Sequence, residues 1–245
     1  MIFYFTGTGN SLHAARKLLY KGEQLVDMAK ALEDGALSYQ LSEGERVGFV
    51  YPEYCGTFGA TVRECVSKLE LQGFRSVFAL ITCAGKGVSG GELRKLLESR
   101  GIPLHYADFV VMPSNCVTFF DVPGEEKAAE ILQKAEAYLA ELREELRSHP
   151  VDPPKQSLHT AMIAKTYVFA NGTKKYFADD RCIGCGLCAK NCPSHAIEMQ
   201  NGGPVWVKPH CDLCCGCINR CPVQAIQYGK GTKNRRRYVH PDLKK

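Results

Sequence analysis

Short apolar runs alternate with amphipathic stretches of helical period through the first 150 residues. A short unbroken apolar run favours a buried strand, whereas apolar residues recurring every 3.6 positions favour a helix with one buried face. This pattern predicts strands at residues 2–5, 24–28, 47–51, 76–81 and 109–112, of which 24–28 has the weakest pattern. It predicts helices at residues 11–20, 58–71, 90–99 and 125–147.

Strands that alternate with helices form parallel sheets with helices on both faces. Five such strands predict an α/β fold built on a doubly wound, five-stranded parallel sheet. Ligands of such sheets bind beyond the carboxyl ends of the strands, beside the point where the strand order reverses. The loops that follow the predicted strands are therefore the candidate ligand-binding segments.

The loop after the first predicted strand is rich in glycine and hydroxyl groups and has no lysine or arginine. It reads Thr6-Gly7-Thr8-Gly9-Asn10-Ser11 and leads into the first predicted helix. Its side-chain donors and the free N–H groups of a helix start suit a phosphate. The loop fits neither a Walker A loop nor G-x-G-x-x-G, because Leu12 stands where the third glycine would fall. A phosphate-binding loop is predicted, with a plain strand-to-helix turn as the alternative.

The chain has 13 cysteines, many for a reducing compartment, where disulfide frameworks are rare. Nine lie between residues 182 and 221, mostly in two copies of C-x2-C-x2-C-x3-C-P that are 29 residues apart. Three thiolates of one copy suit three irons of a [4Fe-4S] cubane, and the fourth cysteine completes the cluster of the other copy. The predicted ligand sets are Cys182, Cys185, Cys188 with Cys221, and Cys211, Cys214, Cys217 with Cys192.

A zinc ribbon is the alternative interpretation of these cysteines. Such a site pairs two C-x2-C knuckles to give four ligands, whereas each half here has three evenly spaced cysteines and a C-P pair. The iron–sulfur interpretation is therefore favoured. Cys215 lies outside the repeated pattern and is interpreted as a neighbouring thiol with no ligand role.

The formal net charge of +5 first suggests a nucleic-acid partner. However, residues 229–245 hold seven Lys or Arg and one Asp, so residues 1–228 carry 24 positive and 25 negative charges. The positive charge thus belongs to a tail, and a solvated segment or a docking element for an acidic redox partner are the alternatives. Nucleic-acid binding is not expected, because no interleaved aromatic platform accompanies the charge.

These motifs resemble those of two known families. Residues 175–228 resemble a small α+β bacterial-type ferredoxin domain with two [4Fe-4S] clusters, which implies low-potential one-electron transfer. The loop at residues 6–11 resembles the loop with which flavodoxins hold the phosphate of FMN. This resemblance implies a flavodoxin-like fold for residues 1–148.

In flavodoxins, two further loops sandwich the isoalloxazine ring, and they correspond here to the segments after the strands at 47–51 and 76–81. Tyr51 and Tyr54 could stack on the flavin or belong to the core. Gly56 could let a peptide reorient toward reduced N5, and Cys55 and Cys83 are interpreted as packing residues. The candidate binding residues on these loops are Tyr51, Tyr54, Cys55, Gly56, Thr82, Cys83, Ala84 and Gly85.

Nearly the whole chain is similar to fused flavodoxin-domain ferredoxins of anaerobic bacteria and archaea. Besides the motifs above, the similarity rests on Met112-Pro113-Ser114-Asn115, and it implies that Asn115 lies near the flavin. The implied cofactors are FMN and two [4Fe-4S] clusters. The expected organisation is an FMN domain at 1–148, a proline-rich linker at 149–174, a ferredoxin domain at 175–228 and a basic tail at 229–245.

The function expected first is electron transfer between FMN, the two clusters and a partner protein. An FMN-dependent reductase of a small organic substrate is the second hypothesis, with Glu53, Tyr54 and Lys86 as its acid–base candidates. A redox-sensing or scaffold protein is the third. No apolar run approaches the roughly 18–20 residues of a membrane span, and the amino terminus does not resemble a signal peptide, so a cytoplasmic protein without membrane insertion is expected.

Overall fold

The computed structural model describes residues 1–85, 87–148, 166–167 and 169–243. Strands β1 (Ile2–Tyr4), β2 (Leu25–Asp27), β4 (Arg46–Pro52), β6 (Ser76–Cys83) and β7 (Tyr106–Val111) form one sheet. All its pairings are parallel and its order is β2-β1-β4-β6-β7. The α/β architecture with a five-stranded parallel sheet is therefore confirmed. The short strands β3 (Ser38–Gln40) and β5 (Glu70–Gln72), which the pattern did not predict, pair in parallel outside this sheet.

Helices cover both faces of the sheet. They are α1 (Asn10–Leu18), α2 (Met28–Asp34), α3 (Ala60–Lys68), α4 (Gly90–Glu98) and α5 (Glu125–Ser148). Successive residues of a strand face opposite sides, so Phe49 packs with α2, α3 and α4, whereas Val50 packs with α1 and α5. The chain order reverses at β1, which leaves a crevice at the carboxyl ends of β1 and β4, where sheets of this order bind ligands.

The second region is small and contains both copies of the cysteine motif. Strand β8 (Tyr176–Ala178) pairs antiparallel with β11 (Ile226–Tyr228), and β9 (Ile197–Gln200) pairs antiparallel with β10 (Gly203–Trp206). Each cysteine loop leads into a short helix, α6 (Leu187–Lys190) or α7 (Gly216–Arg220). The greater part of the predicted linker, residues 149–165, lies outside the described residues.

The segment from 229 onward differs from a solvated tail. Thr232, Tyr238 and His240 are buried, and the Tyr238 hydroxyl donates to Asn10 Oδ1 at 2.8 Å. The backbone N–H of His240 donates to the Thr8 carbonyl at 2.8 Å. The segment therefore folds back over the outer side of the 6–11 loop, and its buried uncharged residues explain why its basic composition was misleading.

Within the described parts of the chain, no helix has both the length and the apolar character needed to cross a bilayer.

Candidate cofactor-binding site

A cavity of about 370 Å³ lies at the carboxyl ends of β1, β4, β6 and β7. Its size falls within the roughly 300–1,000 Å³ of small-molecule pockets. Most of the residues predicted from the sequence line it. These are Thr6, Gly7, Thr8, Asn10, Ser11, Tyr54, Cys55, Thr82, Cys83, Ala84 and Asn115.

The 6–11 loop is held by hydrogen bonds on both sides. The backbone N–H of Gly9 donates to Thr6 Oγ1 at 3.0 Å, and Asn10 Nδ2 donates to the Pro113 carbonyl at 2.9 Å. The hydroxyls of Ser11 and Thr82 lie 2.7 Å apart, which joins this loop to the end of β6. The loop therefore presents hydroxyl and amide groups to the cavity without any cationic side chain.

Gly9 has a different role from its neighbours and does not line the cavity. Its φ of 103° lies in the left-handed region, which favours glycine. A Cβ placed there would lie 2.8 Å from the Cβ of His240. Gly9 therefore makes room for the carboxyl-terminal segment on the outer side of the loop.

The segment after β4 forms a tight turn. Tyr54 and Thr57 exchange backbone hydrogen bonds of 2.7 and 3.1 Å, and the two residues between them, Cys55 and Gly56, have φ values of 49° and 74°. Two successive positive φ angles define a type I′ turn. Gly56 supplies the second of them, and Cys55 adopts a conformation that is costly for a residue with a side chain. Gly56 itself does not line the cavity.

The two tyrosines that were candidates for stacking on a flavin lie in different surroundings. Tyr51 is fully buried in the sheet, with its ring 5.4 Å from that of Phe58 in an edge-to-face contact, so it is a core residue and not a stacking residue. Tyr54 lines the cavity and is also buried. Among the described residues its hydroxyl has no hydrogen-bond partner. Burial, with the nearby Cys214 next in importance, raises the pKa of Tyr54 well above its usual value.

The loop after β6 is fixed by Glu53 from the neighbouring loop. One carboxylate oxygen of Glu53 accepts 2.7 Å hydrogen bonds from the backbone N–H groups of Val88 and Ser89. Gly85 lies on this loop but not against the cavity, and its carbonyl accepts a hydrogen bond from the Cys83 thiol at 2.8 Å. Lys86 lies outside the described residues.

The cavity has further lining residues. Glu53 was an acid–base candidate from the sequence, and Met112, Pro113 and Ser114 belong to the element on which the family resemblance rests, whereas the others were not predicted. The additional lining residues are Pro52, Glu53, Met112, Pro113, Ser114, Cys116, Phe119, Phe120, Thr166 and Leu213. Cys116 follows this element directly and could have been found from its position after the last strand. Leu213 could not, because it lies in the second cysteine loop, and nothing in the pattern shows that this loop reaches the sheet.

The first predicted cluster site is a cavity of its own, about 540 Å³, lined by Cys182, Cys185, Cys188 and Cys221. The fourth of these comes from the other copy of the motif. The backbone N–H of Ala225 donates to the sulfur of Cys221 at 3.3 Å, an N–H···S contact of the type that tunes iron–sulfur centres. Cys185 is exposed, so this site reaches the surface.

The second predicted site brings Cys192 together with Cys211, Cys214 and Cys217. Burial raises the pKa of Cys211 to about 11 and those of Cys214 and Cys217 well above the usual value. The other three thiols of the set contribute to the raised pKa of Cys217. Buried thiols that oppose each other's ionisation need a cation to become thiolates. This donor set therefore fits a thiolate-bound metal centre.

The second predicted cluster site and the cavity share a wall. A Cβ on Gly7 would lie 2.2 Å from the Cys214 carbonyl oxygen, so the 6–11 loop touches the cysteine loop backbone to backbone. Asn115 Nδ2 donates both to Thr8 Oγ1, at 2.9 Å, and to the Cys214 carbonyl, at 3.2 Å. Asn115 thereby ties together the phosphate-loop candidate and a cluster-ligand candidate.

Comparison with known proteins concerns the second region. Residues 176–198 match the family model "4Fe-4S binding domain". The chain is 40% identical over 50 residues to a ferredoxin of Pyrobaculum islandicum, covering 19% of this chain and 45% of that protein. It is 31% identical over 67 residues to NADH-quinone oxidoreductase subunit I of Pelobacter propionicus, covering 22% and 36%. The chain thus spans less than half the length of either relative.

The chain contains a 4Fe-4S ferredoxin-type region. Among solved structures, the Trp repressor binding protein of Bacillus subtilis is similar, with 11% identity, coverage of 58% of this chain and 97% of that chain, and a TM-score of 0.35. At that score, the sheet described above rests on its own strand pairing and not on this likeness.

Proposed function

We propose that the protein is a flavo-iron–sulfur electron carrier. FMN would occupy the cavity at the end of the parallel sheet, two [4Fe-4S] clusters would occupy the two cysteine sites, and electrons would pass among these centres and a partner protein. The observation that carries this proposal is the contact between Gly7 and Cys214, which leaves no intervening layer between the flavin cavity and the second cluster site.

Three properties of the cavity support FMN as its ligand. The strand order β2-β1-β4-β6-β7 is that of flavodoxin once the two outlying strands are left out, and the cavity lies at its β1/β4 switch point. The 6–11 loop offers neutral donors at the start of α1, as a phosphate ester requires. The buried hydroxyl of Tyr54 has no protein partner among the described residues and fits a polar ligand.

When bound, FMN supplies one- or two-electron chemistry and each [4Fe-4S] cluster supplies one-electron chemistry. The chain itself would provide placement and tuning. Leu213 and Tyr54 are buried and line the cavity, so they would help to position the flavin. Backbone N–H groups of Leu213 and Ala196 donate to the sulfurs of Cys211 and Cys192, each at 3.4 Å, and so stabilise negative charge there.

The surface around the first cluster site supports a protein partner. Ile183, Leu187 and Met199 are exposed by 64%, 45% and 36%, and all three line the cavity of that site beside exposed Cys185. Contiguous exposed apolar residues are typical of interaction surfaces. The second site lies against the flavin cavity, so the first site is the one that a partner could approach.

Anaerobic purification tests the cofactor content. We expect about eight irons per chain, four for each cluster, and one FMN released on denaturation. Zinc in place of iron would overturn the cluster assignment, and failure to bind added FMN would overturn the flavin assignment. Ala84→Trp would fill the cavity and abolish FMN binding without changing the iron content. Ala36→Trp is the matched control, because Ala36 is exposed and does not line the cavity.

A further inference from the structure

Cys215 occupies a position that the other copy of the motif gives to glycine. The 29-residue offset aligns Cys215 with Gly186, and their φ values are 54° and 73°. The same offset aligns Leu213 with Gly184, at 56° and 66°. A residue with a side chain is strained in this region of backbone angles, and such strain concentrates at functional sites. The loop therefore tolerates a side chain at 215 where glycine would be less strained.

The thiol of Cys215 faces another cysteine that binds no predicted cluster. It is buried and donates to the Leu213 carbonyl at 3.5 Å. The Thr118 hydroxyl lies 3.8 Å from the sulfur of each cysteine. Residues 99 positions apart in the chain are thus brought together at the junction of the two regions.

The two sulfurs differ in access. Cys116 is half-buried and lines the 370 Å³ cavity, and exposed Phe120 lines the same cavity. Cys215 lies behind it and does not line the cavity. This arrangement, with one accessible and one buried sulfur against the same threonine hydroxyl, is that of an attacking and a resolving cysteine.

We propose that Cys116 and Cys215 are a redox-active pair that exchanges with low-molecular-weight disulfides entering the cavity. The thiolate of Cys116 attacks a disulfide R–S–S–R, forms a Cys116–S–S–R bond and releases one R–S⁻. Cys215 then attacks the Cys116 sulfur, the Cys116–Cys215 bond forms, and the second R–S⁻ leaves. The pair loses two electrons and two protons, and one disulfide becomes two thiols. The reverse sequence reduces the pair.

This proposal goes beyond the proposed function, because neither step requires FMN or an electron from a cluster. FMN and the disulfide would compete for the same cavity, so the reaction belongs to the protein without bound FMN. The cavity volume favours a small disulfide over a folded protein. Cys55, on the turn after β4, is the competing partner for Cys116, since its own raised pKa reflects burial first and the nearby Cys116 second. Among the described residues, however, it is Cys215 that shares the Thr118 hydroxyl with Cys116.

The test uses anaerobic, iron-loaded protein from which any FMN has been removed. The protein is treated with bis(2-hydroxyethyl) disulfide, quenched in acid, alkylated and mapped by peptide mass spectrometry. We expect a Cys116–Cys215 cross-link, seen as the loss of two hydrogen masses, with unchanged iron content. Cys215→Gly places the repeat-equivalent residue in the loop and should stop the reaction at a mercaptoethanol adduct on Cys116. Cys116→Ser should leave Cys215 unmodified, and Cys65→Ala should behave as the wild type.

Several results would overturn the proposal. One is an iron-loaded wild-type protein in which Cys116 stays unmodified. Another is a Cys116 that reacts no faster than buried Cys65, because the greater exposure of Cys116 predicts a reaction rate roughly tenfold higher or more. A cross-link from Cys116 to Cys55 or to a cluster ligand is another. If Cys215→Gly lost iron, Cys215→Ser would serve in its place. The presence or absence of the Cys116–Cys215 cross-link in the wild-type protein would still test the proposal.

Discussion

The carboxylate of Asp212 accepts two hydrogen bonds from Thr61, one from its backbone N–H at 2.8 Å and one from its hydroxyl at 2.7 Å. Asp212 stands between two cysteines of the second cluster loop, and Thr61 is in the first turn of α3. A residue 151 positions away thus satisfies a free N–H at the start of this helix, a role that a neighbouring side chain usually takes. The cluster loop and the sheet region are thereby joined through a helix cap.

Removing this carboxylate should destabilise the folded chain. Asp212 is 1% exposed and also accepts a hydrogen bond from Ser194 Oγ. Asp212→Ala leaves these donors unsatisfied, and we expect a loss of about 2–4 kcal/mol in the free energy of unfolding. Asp180→Ala, at an exposed position of the same region, should change it by no more than about 0.5 kcal/mol. Equal denaturant midpoints for the two variants would show that the cap does not hold the regions together.

A second prediction concerns the backbone contact at Gly7. The Cβ of Gly7→Ala would meet the Cys214 carbonyl oxygen at 2.2 Å and the Cys214 Cβ at 2.9 Å. Backbone atoms cannot rotate away, so the cluster loop must shift, at a cost of roughly 1–3 kcal/mol. Gly85→Ala is the matched control, because a Cβ there would meet nothing within 4 Å. Thermal unfolding should show a lower midpoint for Gly7→Ala alone, and similar midpoints would contradict the contact.

The sheet was predictable because its determinants are local. Buried parallel strands are continuous apolar runs, and each run in the sequence became a strand, including the weak one at 24–28, which forms the edge strand β2. The helix α2 was missed although both its ends carry signals. Asp27 Oδ1 caps its first turn by accepting from the Ala29 N–H at 2.9 Å, and Gly35, with φ 67°, ends it. Its seven residues are too few for a clear helical period.

The arrangement of the candidate site was less predictable because it depends on contacts between distant residues. The strand-end rule located the loops, but it could not show that Gly9 faces the carboxyl-terminal segment or that Tyr51 turns into the core. Leu213 became a cavity residue only because the two regions dock. The basic composition of residues 229–243 suggested a solvated or docking tail. It was misleading because the residues that the segment buries are its uncharged ones.

A third prediction concerns the fourth ligand of each cluster, which is expected to come from the other copy of the cysteine motif. If Cys192 completes the second cluster, Cys192→Ala should expose Cys211, Cys214 and Cys217 to alkylation and leave the first triplet protected. Cys221→Ala should do the reverse, because Cys221 lines the first site. Alkylation mapping of anaerobic protein distinguishes the two patterns. If the cysteines that lose protection lie in the same copy as the mutation, the prediction that each copy completes the other copy's cluster is wrong. Cys65→Ala controls for the loss of a buried thiol.

The last prediction is a pH dependence that originates at His240. Burial, and then the His13 ring stacked 4.1 Å away, lowers the pKa of His240 to about 4, while Asp242 and Glu136 oppose the shift. Between about pH 6.5 and 4 the unfolded chain therefore binds a proton that the folded chain does not, so stability falls as the pH is lowered through this window. Relative to His240→Asn, the wild-type protein should lose on the order of 1 kcal/mol across it. Acid loss of iron affects both proteins alike, so the difference between their denaturant midpoints is the measurement. A difference that stays constant from pH 7 to about pH 4 would show that His240 keeps its ordinary pKa of 6.5 in the folded protein.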